Sequence, residues 1–128
     1  IDDDIQTISE YKENIGESND DYFRFVVQKS FLARGFYAEQ IREWYKFFYK
    51  NQILIVSSDN LSSNTQQTMN KIFKFLDLDP QKIPNLEKVN VAKYPPMKIE
   101  SRLKLLKFFK KYNDELFNLI NEKFPWDK

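Results

Sequence analysis

The fold class is decided by residues 51–59, which read NQILIVSSD. Residues 53–56 form an unbroken apolar run, mostly of β-branched side chains, between polar residues on both sides. A run of this kind, without alternation of polar and apolar side chains, is typical of a strand that is buried on both faces of a parallel sheet. We therefore predict an α/β fold with one parallel-type strand at 53–56.

Helical periodicity surrounds this strand. Apolar residues recur at three- and four-residue spacing over 2–14, 36–49, 64–76 and 100–121, which predicts four amphipathic helices. Residues 22–33 are interpreted as a further helix, although their aromatic and β-branched residues also fit a strand. Asp79-Pro80 is expected to stop the helix before it, and residues 80–97, with four prolines, are expected to be irregular.

A single strand leaves its own backbone donors and acceptors without partners. Either a second strand lies in 22–33 or 85–93, or another chain segment supplies the sheet. The chain begins at Ile1 without an initiator Met. We therefore expect it to start within a longer protein, and the N-terminal half of the same fold to be its missing partner.

Composition excludes several classes of chemistry within these residues. The 128 residues contain no His, no Cys and only two Gly. A Ser-His-Asp triad, a disulfide framework and a His- or Cys-based metal site are therefore excluded, and no metal is expected. Two glycines are also too few for a Gly-rich phosphate loop.

Charge is distributed unevenly, although the net charge is only +1. Residues 1–21 carry eight acidic residues and one Lys, whereas 98–111 carry six basic residues and one Glu. The basic segment suits an anionic partner, or it is simply a solvated helix face. There is no apolar run long enough to span a membrane and no signal-peptide pattern, so we predict a cytoplasmic location without a membrane segment.

Two blocks of the chain together resemble one known family. The first block begins at Arg34-Gly35-Phe36-Tyr37 and continues through Trp44, residues 51–56 and 68–78. It is similar to the passage G-x-Y-x-x-x-L-x-x-W … Q-(apolar run) … (D/E)-x-L … T-x-x-x-(V/I)-x-x-F-L of sulfotransferases that use 3′-phosphoadenosine 5′-phosphosulfate (PAPS). The second block, KYPPM (93–97), SRL (101–103) and PW (125–126), is similar to the end of the same family, K-Y-P-x-M … S-R-x-x-L … P-W.

The resemblance covers residues 34–126 and includes the sulfotransferase domain of heparan sulfate N-deacetylase/N-sulfotransferases and their bacterial and viral relatives. It implies a P-loop-type, three-layer α/β fold and transfer of a sulfonyl group from PAPS to a hydroxyl or amine, with a carbohydrate as one acceptor class. The family's activated-sulfate loop and catalytic base have no counterpart here. The resemblance therefore implies that 1–128 is a single domain, the C-terminal portion of a sulfotransferase domain. We predict that this chain alone is inactive, and we assign no catalytic residue to it.

The resemblance implies that Lys93, Tyr94 and Arg102 contact the nucleotide, because charge-assisted bonds to phosphate are short and strong. This sequence departs from the family at 90–92, where Asn-Val-Ala replaces the common Lys-Gly-Arg. The alternative for this segment is a plain packing loop. For Arg102 the alternative is an ion pair with Glu100 or Asp114.

The resemblance also places the helix that begins near Tyr37 beside the acceptor. Arg34 and Gln40 are the better candidates for acceptor contact. Tyr37 and Trp44 are also candidates, but aromatic residues at helical spacing belong more often to the core than to a site. Gln40 stands where some relatives carry His, and it can position a group but cannot act as a general base. The rival interpretation is a non-enzymatic helical module whose basic last helix binds an anionic polymer or a partner protein. Nucleic acid is not expected as a partner.

Overall fold

The computed structural model describes residues 1–15, 31–84 and 94–126. These residues contain the α-helices α1 (Asp2–Ile15), α2 (Tyr37–Tyr45), α3 (Ser58–Ser63), α4 (Thr65–Phe75) and α5 (Ile99–Ile120), with 3₁₀ turns at Ala33–Gly35 and Lys50–Gln52. The helices predicted at 2–14, 64–76 and 100–121 are thus confirmed, with ends shifted by one residue. The chain divides into two compact units, Ile1–Trp44 with Met97–Lys128, and Tyr45–Pro96.

The first unit is built around an aromatic core. Ile8 of α1, Ala33, Phe36 and Tyr112 of α5 are buried together. The rings of Phe36 and Tyr112 stack, with centroids 3.8 Å apart and planes inclined by 17°. Because Phe36 immediately precedes α2, this stacking fixes the start of α2 against α5.

The second unit contains α3 and α4. Ser57 caps α3, since its Oγ accepts hydrogen bonds from the backbone N–H groups of Asp59 at 3.1 Å and Asn60 at 3.5 Å. The side chain of Gln66 on α4 binds the backbone of the segment that follows α4: its Nε2 donates to the carbonyl of Gln81 at 2.9 Å, and its Oε1 accepts from the N–H of Ile83 at 2.8 Å. One amide therefore holds residues 81–83 against α4.

The end of α4 differs in mechanism from the prediction. Asp77 adopts a positive φ of 55°, and the N–H of Leu78 donates to the carbonyl of Phe73 at 2.9 Å. This is a Schellman arrangement, which satisfies the last carbonyls of the helix before the chain reaches Pro80. The left-handed conformation of Asp77 therefore ends α4. Asp79-Pro80, which was predicted to end the helix, lies after this cap.

The predicted strand at 53–56 is not confirmed. Ile53 has extended dihedral angles, φ −122° and ψ 118°, but residues 53–57 pair with no other described residue as a ladder. Residues 53–56 are half-buried, not buried on both faces. The physical reason is the lack of a neighbouring strand. Without one, an extended apolar segment has the dihedral angles of a strand but not its hydrogen bonds.

Two other predictions are changed or untested. The helix predicted over 36–49 ends at Tyr45. Four residues later, the Oε1 of Gln52 accepts from the backbone N–H of Tyr49 at 3.0 Å and caps the separate turn Lys50–Gln52. In the predicted helix at 22–33, residues 22–30 lie outside the described residues, and Ala33 belongs to a 3₁₀ turn.

Candidate functional site

The proposed acceptor residues Arg34 and Gln40 are joined directly. The Nε2 of Gln40 donates a hydrogen bond to the backbone carbonyl of Arg34 at 2.9 Å. Gln40 lies on the first turns of α2 and Arg34 on the 3₁₀ turn before it, so the bond closes the bend between these two elements. The Arg34 guanidinium carbon lies 5.3 Å from the ring centroid of Phe31, a cation–π contact at the surface.

Tyr37 and Trp44 are partly exposed, which distinguishes them from core residues. Tyr37 is 46% exposed and Trp44 is 59% exposed. The Tyr37 ring lies 5.9 Å from the ring of Trp126, centroid to centroid. Trp126 itself packs against Phe124 at 4.9 Å, so the C-terminal segment supports the exposed face of α2. The alternative that Tyr37 and Trp44 are core residues is therefore wrong.

An ion pair that sequence reasoning missed ties α2 to α5. The Arg42 guanidinium contacts the Glu115 carboxylate at 3.3 Å, and both side chains are 48% exposed. An exposed pair contributes little to stability. It joins α5 to the helix that carries Gln40 and Trp44. No sequence signal links these residues, which are 73 positions apart.

Tyr94 and Arg102, two of the proposed nucleotide residues, belong to different compact units. Tyr94 is 83% exposed and belongs to the unit Tyr45–Pro96. Arg102 belongs to the other unit and lies exposed in the first turn of α5, where its backbone N–H donates to the Lys98 carbonyl at 3.0 Å. Lys93 and the departure at 90–92 lie outside the described residues.

The acids proposed as alternative partners of Arg102 pair with lysines. The Glu100 carboxylate lies 3.6 Å from the Lys104 ammonium, and the Asp114 carboxylate lies 2.7 Å from that of Lys110. Both pairs join residues four positions apart on α5, a spacing that brings side chains together on one helix face. The charges of the last helix are therefore partly balanced along its own length.

A groove of about 640 Å³ runs between α1 and α5. Both helices supply its lining, which consists of four lysines, two aspartates and two apolar residues: Asp2, Ile5, Lys104, Lys107, Phe108, Lys110, Lys111 and Asp114. The basic run was evident in the sequence, but the contribution of α1 was not, because the contact from Asp2 to Lys104 joins residues 102 positions apart. Among the residues that the structure describes, no group of His, Cys, Asp or Glu could hold a metal ion. No helix in the same ranges is long and apolar enough to cross a membrane.

Comparison with known proteins gives a consistent result. The family described as "Sulfotransferase domain" matches residues 6–121. The chain is 33% identical over 95 residues to the membrane-associated sulfotransferase kil1 of Dictyostelium discoideum, covering 74% of this chain and 20% of kil1. It is 30% identical over 119 residues to the bifunctional heparan sulfate N-deacetylase/N-sulfotransferase 4 of Mus musculus, covering 75% of this chain and 14% of that protein.

The chain therefore spans no more than about a fifth of the length of these relatives. No solved structure gives a significant match.

Proposed function

This chain belongs to the sulfotransferase family, and from that premise we propose that it forms part of an enzyme that transfers a sulfonyl group from PAPS to a hydroxyl or amine. The observation that carries the proposal is the family match over 6–121, which includes the first motif block and residues 93–103 of the second. Membership in the family also implies the P-loop-like α/β fold. Its central sheet would give residues 53–56 the neighbours that the described residues do not provide.

The contribution proposed for this chain is a wall of the acceptor site. Arg34 and Gln40 offer polar groups, and Tyr37 and Trp44 offer partly exposed aromatic surfaces with a polar tip. Such a mixture of flat apolar surface and a few fixed polar groups suits a hydroxylated acceptor. A carbohydrate acceptor is supported by the name of one relative, a heparan sulfate N-sulfotransferase.

The donor is proposed to contact Lys93, Tyr94 and Arg102. Arg102 carries a guanidinium on an exposed first helical turn, which is chemically suited to a phosphate. In the reaction, the acceptor oxygen or nitrogen forms a bond to sulfur while the bond from sulfur to the bridging phosphate oxygen breaks. The acceptor proton passes to a base, and cationic groups stabilise the charge that builds on the departing phosphate.

We propose that the 128-residue chain does not complete this reaction alone. It carries two Gly and no His, so it lacks a Gly-rich phosphate loop and a His base. Residues outside this chain would have to supply the phosphosulfate loop and the base.

The experiment compares the full-length gene product with the 128-residue chain. Transfer of ³⁵S from PAPS to a desulfated heparan acceptor is measured, together with the melting temperature in the presence of 3′-phosphoadenosine 5′-phosphate (PAP). We expect transfer and a PAP-induced rise in melting temperature for the gene product, since a ligand that binds only the folded state stabilises it. We expect no transfer by the chain alone.

The two parts of the proposal fail in different ways. A gene product that neither transfers sulfonyl groups nor responds to PAP would overturn the enzymatic function and favour the helical binding module. Turnover by the 128-residue chain would overturn only the claim that it is inactive alone.

A further inference from the structure

Trp126 connects buried aromatic residues at the end of the chain to the exposed ring of Tyr37. Its ring lies 4.9 Å from that of Phe124 and 5.8 Å from that of Phe117, centroid to centroid. Phe124 and Phe117 are 3% and 8% exposed, and their rings meet edge-to-face at 6.0 Å. The Trp126 ring also lies 5.9 Å from that of Tyr37. Four rings therefore form a continuous series from buried positions to the surface of α2.

The backbone that follows α5 holds Trp126 at this place. Asn121 ends α5 in the left-handed conformation, so the chain leaves the helix there. The N–H of Trp126 then donates to the carbonyl of Phe124 at 2.9 Å, which closes a tight turn around Pro125. Proline fixes its own φ and stiffens this turn. The position of Trp126 is thus set by its own segment and by two buried rings.

Tyr37 is a side chain that gains from such support. It is the first residue of α2 and is 46% exposed. An exposed side chain exchanges among rotamers, and a ligand that needs one rotamer has to restrict the others on binding. A neighbouring ring that is already fixed selects one orientation before the ligand arrives, which is the usual way in which a binding group is preorganised.

We propose that Trp126 is a positioning residue for acceptor binding, because it holds the Tyr37 ring in the orientation that contacts the acceptor. The inference rests on the proposed function, in which Tyr37 lines the acceptor wall. It extends the acceptor site to the segment that follows α5, which contributes support and no contact with the acceptor. A residue that only anchored the end of the chain would affect the amount of folded enzyme and not the acceptor KM.

The test uses the full-length gene product and the substitution Trp126→Leu, which keeps a large apolar side chain but removes the ring. Transfer from PAPS to a desulfated heparan acceptor gives kcat and both KM values. We expect the acceptor KM to rise about three- to tenfold, the range of one aromatic contact. The value of kcat and the PAPS KM should stay within about twofold, since a lost binding contact raises KM alone.

Two further variants serve as controls. Trp126→Phe keeps an aromatic ring beside Tyr37 and should hold the acceptor KM within about threefold of the unchanged enzyme. Ile8→Val removes one methylene from the buried cluster of the same unit. It should lower the melting temperature and leave the acceptor KM unchanged. Circular dichroism and the PAP-induced rise in melting temperature show that each variant is folded.

A double-mutant cycle tests whether Trp126 acts through Tyr37. In the background Tyr37→Leu, the change Trp126→Leu should alter the acceptor KM by less than about twofold, because the ring that it positions is already gone. The cycle is repeated with Trp126→Met, whose flexible side chain fills irregular space. The result therefore does not depend on the folding of one variant.

The outcomes separate this inference from the function on which it rests. An unchanged gene product that transfers no sulfonyl group would overturn the proposed function and the positioning role with it. An active enzyme whose acceptor KM is the same in Trp126→Leu would overturn the positioning role alone. A lower kcat at constant KM would also reject it, as the mark of a purely structural residue, and so would a full effect of Trp126→Leu in the Tyr37→Leu background.

Discussion

The ring of Phe109 closes directly over the backbone of Gly35. A Cβ atom placed on Gly35 would lie 2.7 Å from Cε1 of Phe109 and 3.0 Å from its Cζ. The ring cannot retreat easily, since it packs edge-to-face on Phe108 at 5.1 Å and lies 6.3 Å from Phe36. Gly35 is therefore required by the close approach of α5 to the turn that precedes α2.

Replacement of this glycine should destabilise the first unit. We expect Gly35→Ala to lower the free energy of unfolding by about 1–3 kcal/mol, because the methyl group overpacks the space held by the Phe109 ring. Urea denaturation measures the loss. The double variant Gly35→Ala/Phe109→Leu should lose less than the sum of its two single variants, because a smaller side chain makes room for the methyl group. A Gly35→Ala chain as stable as the unchanged one would contradict the close approach.

Two phenylalanines at opposite extremes of burial give a second prediction. Phe36 is 1% exposed and Phe47 is 81% exposed. Phe36→Ala should cost about 3–5 kcal/mol, because it removes the ring that stacks on Tyr112 and leaves a cavity. Phe47→Ala, the matched control, should change the stability by less than about 0.5 kcal/mol. Thermal unfolding of both variants measures the contrast, and similar losses would mean that Phe36 is not at the centre of the core.

Gln40 connects stability with the proposed acceptor site. In Gln40→Met the side chain keeps its length but no longer donates to the Arg34 carbonyl, so we expect a loss of about 0.5–1.5 kcal/mol in the free energy of unfolding. In the full-length gene product the acceptor KM should rise by up to about tenfold, while the PAPS KM stays unchanged.

The control for this substitution is Gln67→Met on α4, whose side chain is exposed. It removes the same amide from the other unit and should leave both KM values alone. An unchanged acceptor KM in Gln40→Met would show that the bond to Arg34 has no role in acceptor binding.

The contact of Lys104 with α1 makes the stability depend on alkaline pH. The hydrogen bond that its ammonium donates to Asp2, and the attraction of the Asp2 and Glu100 charges, raise the pKa of Lys104 above its ordinary value, although desolvation opposes this rise. The folded state thus holds this proton more tightly than the unfolded state. The stabilising contribution is complete below the unfolded pKa of about 10.4 and is lost as pH rises through the higher folded pKa.

Melting temperatures across the alkaline range test this sign. The difference between the unchanged chain and Lys104→Gln should be largest near neutral pH and should vanish above the folded pKa. It should also shrink in high salt, because both partners are exposed to solvent. Lys107→Gln is the control, since Lys107 forms no ion pair with the described residues. A difference that grew as pH rose would contradict the raised pKa.

Helices of this chain were predictable where local pattern decided the outcome. The apolar stripe of α5 gave its bounds to within one residue, and the left-handed conformation of Asn121, with φ 54°, closes it as a common C-cap. The predicted helix over 36–49 failed over its last four residues, 46–49, where the side chain of Gln52 accepts the backbone N–H of Tyr49. Periodicity counts apolar positions and does not register such competition.

For the candidate acceptor site, the sequence predicted which residues share a helix face but not the contacts that those residues make. Helical spacing placed Tyr37, Gln40 and Trp44 on a common face. It could not indicate that Gln40 bonds the Arg34 carbonyl or that Arg42 pairs with Glu115. Contacts between residues distant in sequence depend on how helices pack, and a single sequence carries no pattern for them. The strand at 53–56 shows the same limit, because pairing requires a partner that local pattern does not specify.

The double hydrogen bond of Gln66 restricts which residues its position can accept. Gln66 lies on the exposed side of α4, where substitutions are usually harmless. Yet its amide both donates to Gln81 and accepts from Ile83, as the backbone of an adjacent strand would. Glu offers no donor and Lys no acceptor at that point. Position 66 therefore accepts few other side chains although it lies on the surface. The restriction comes from the need for both a donor and an acceptor, whereas in a core it comes from side-chain volume.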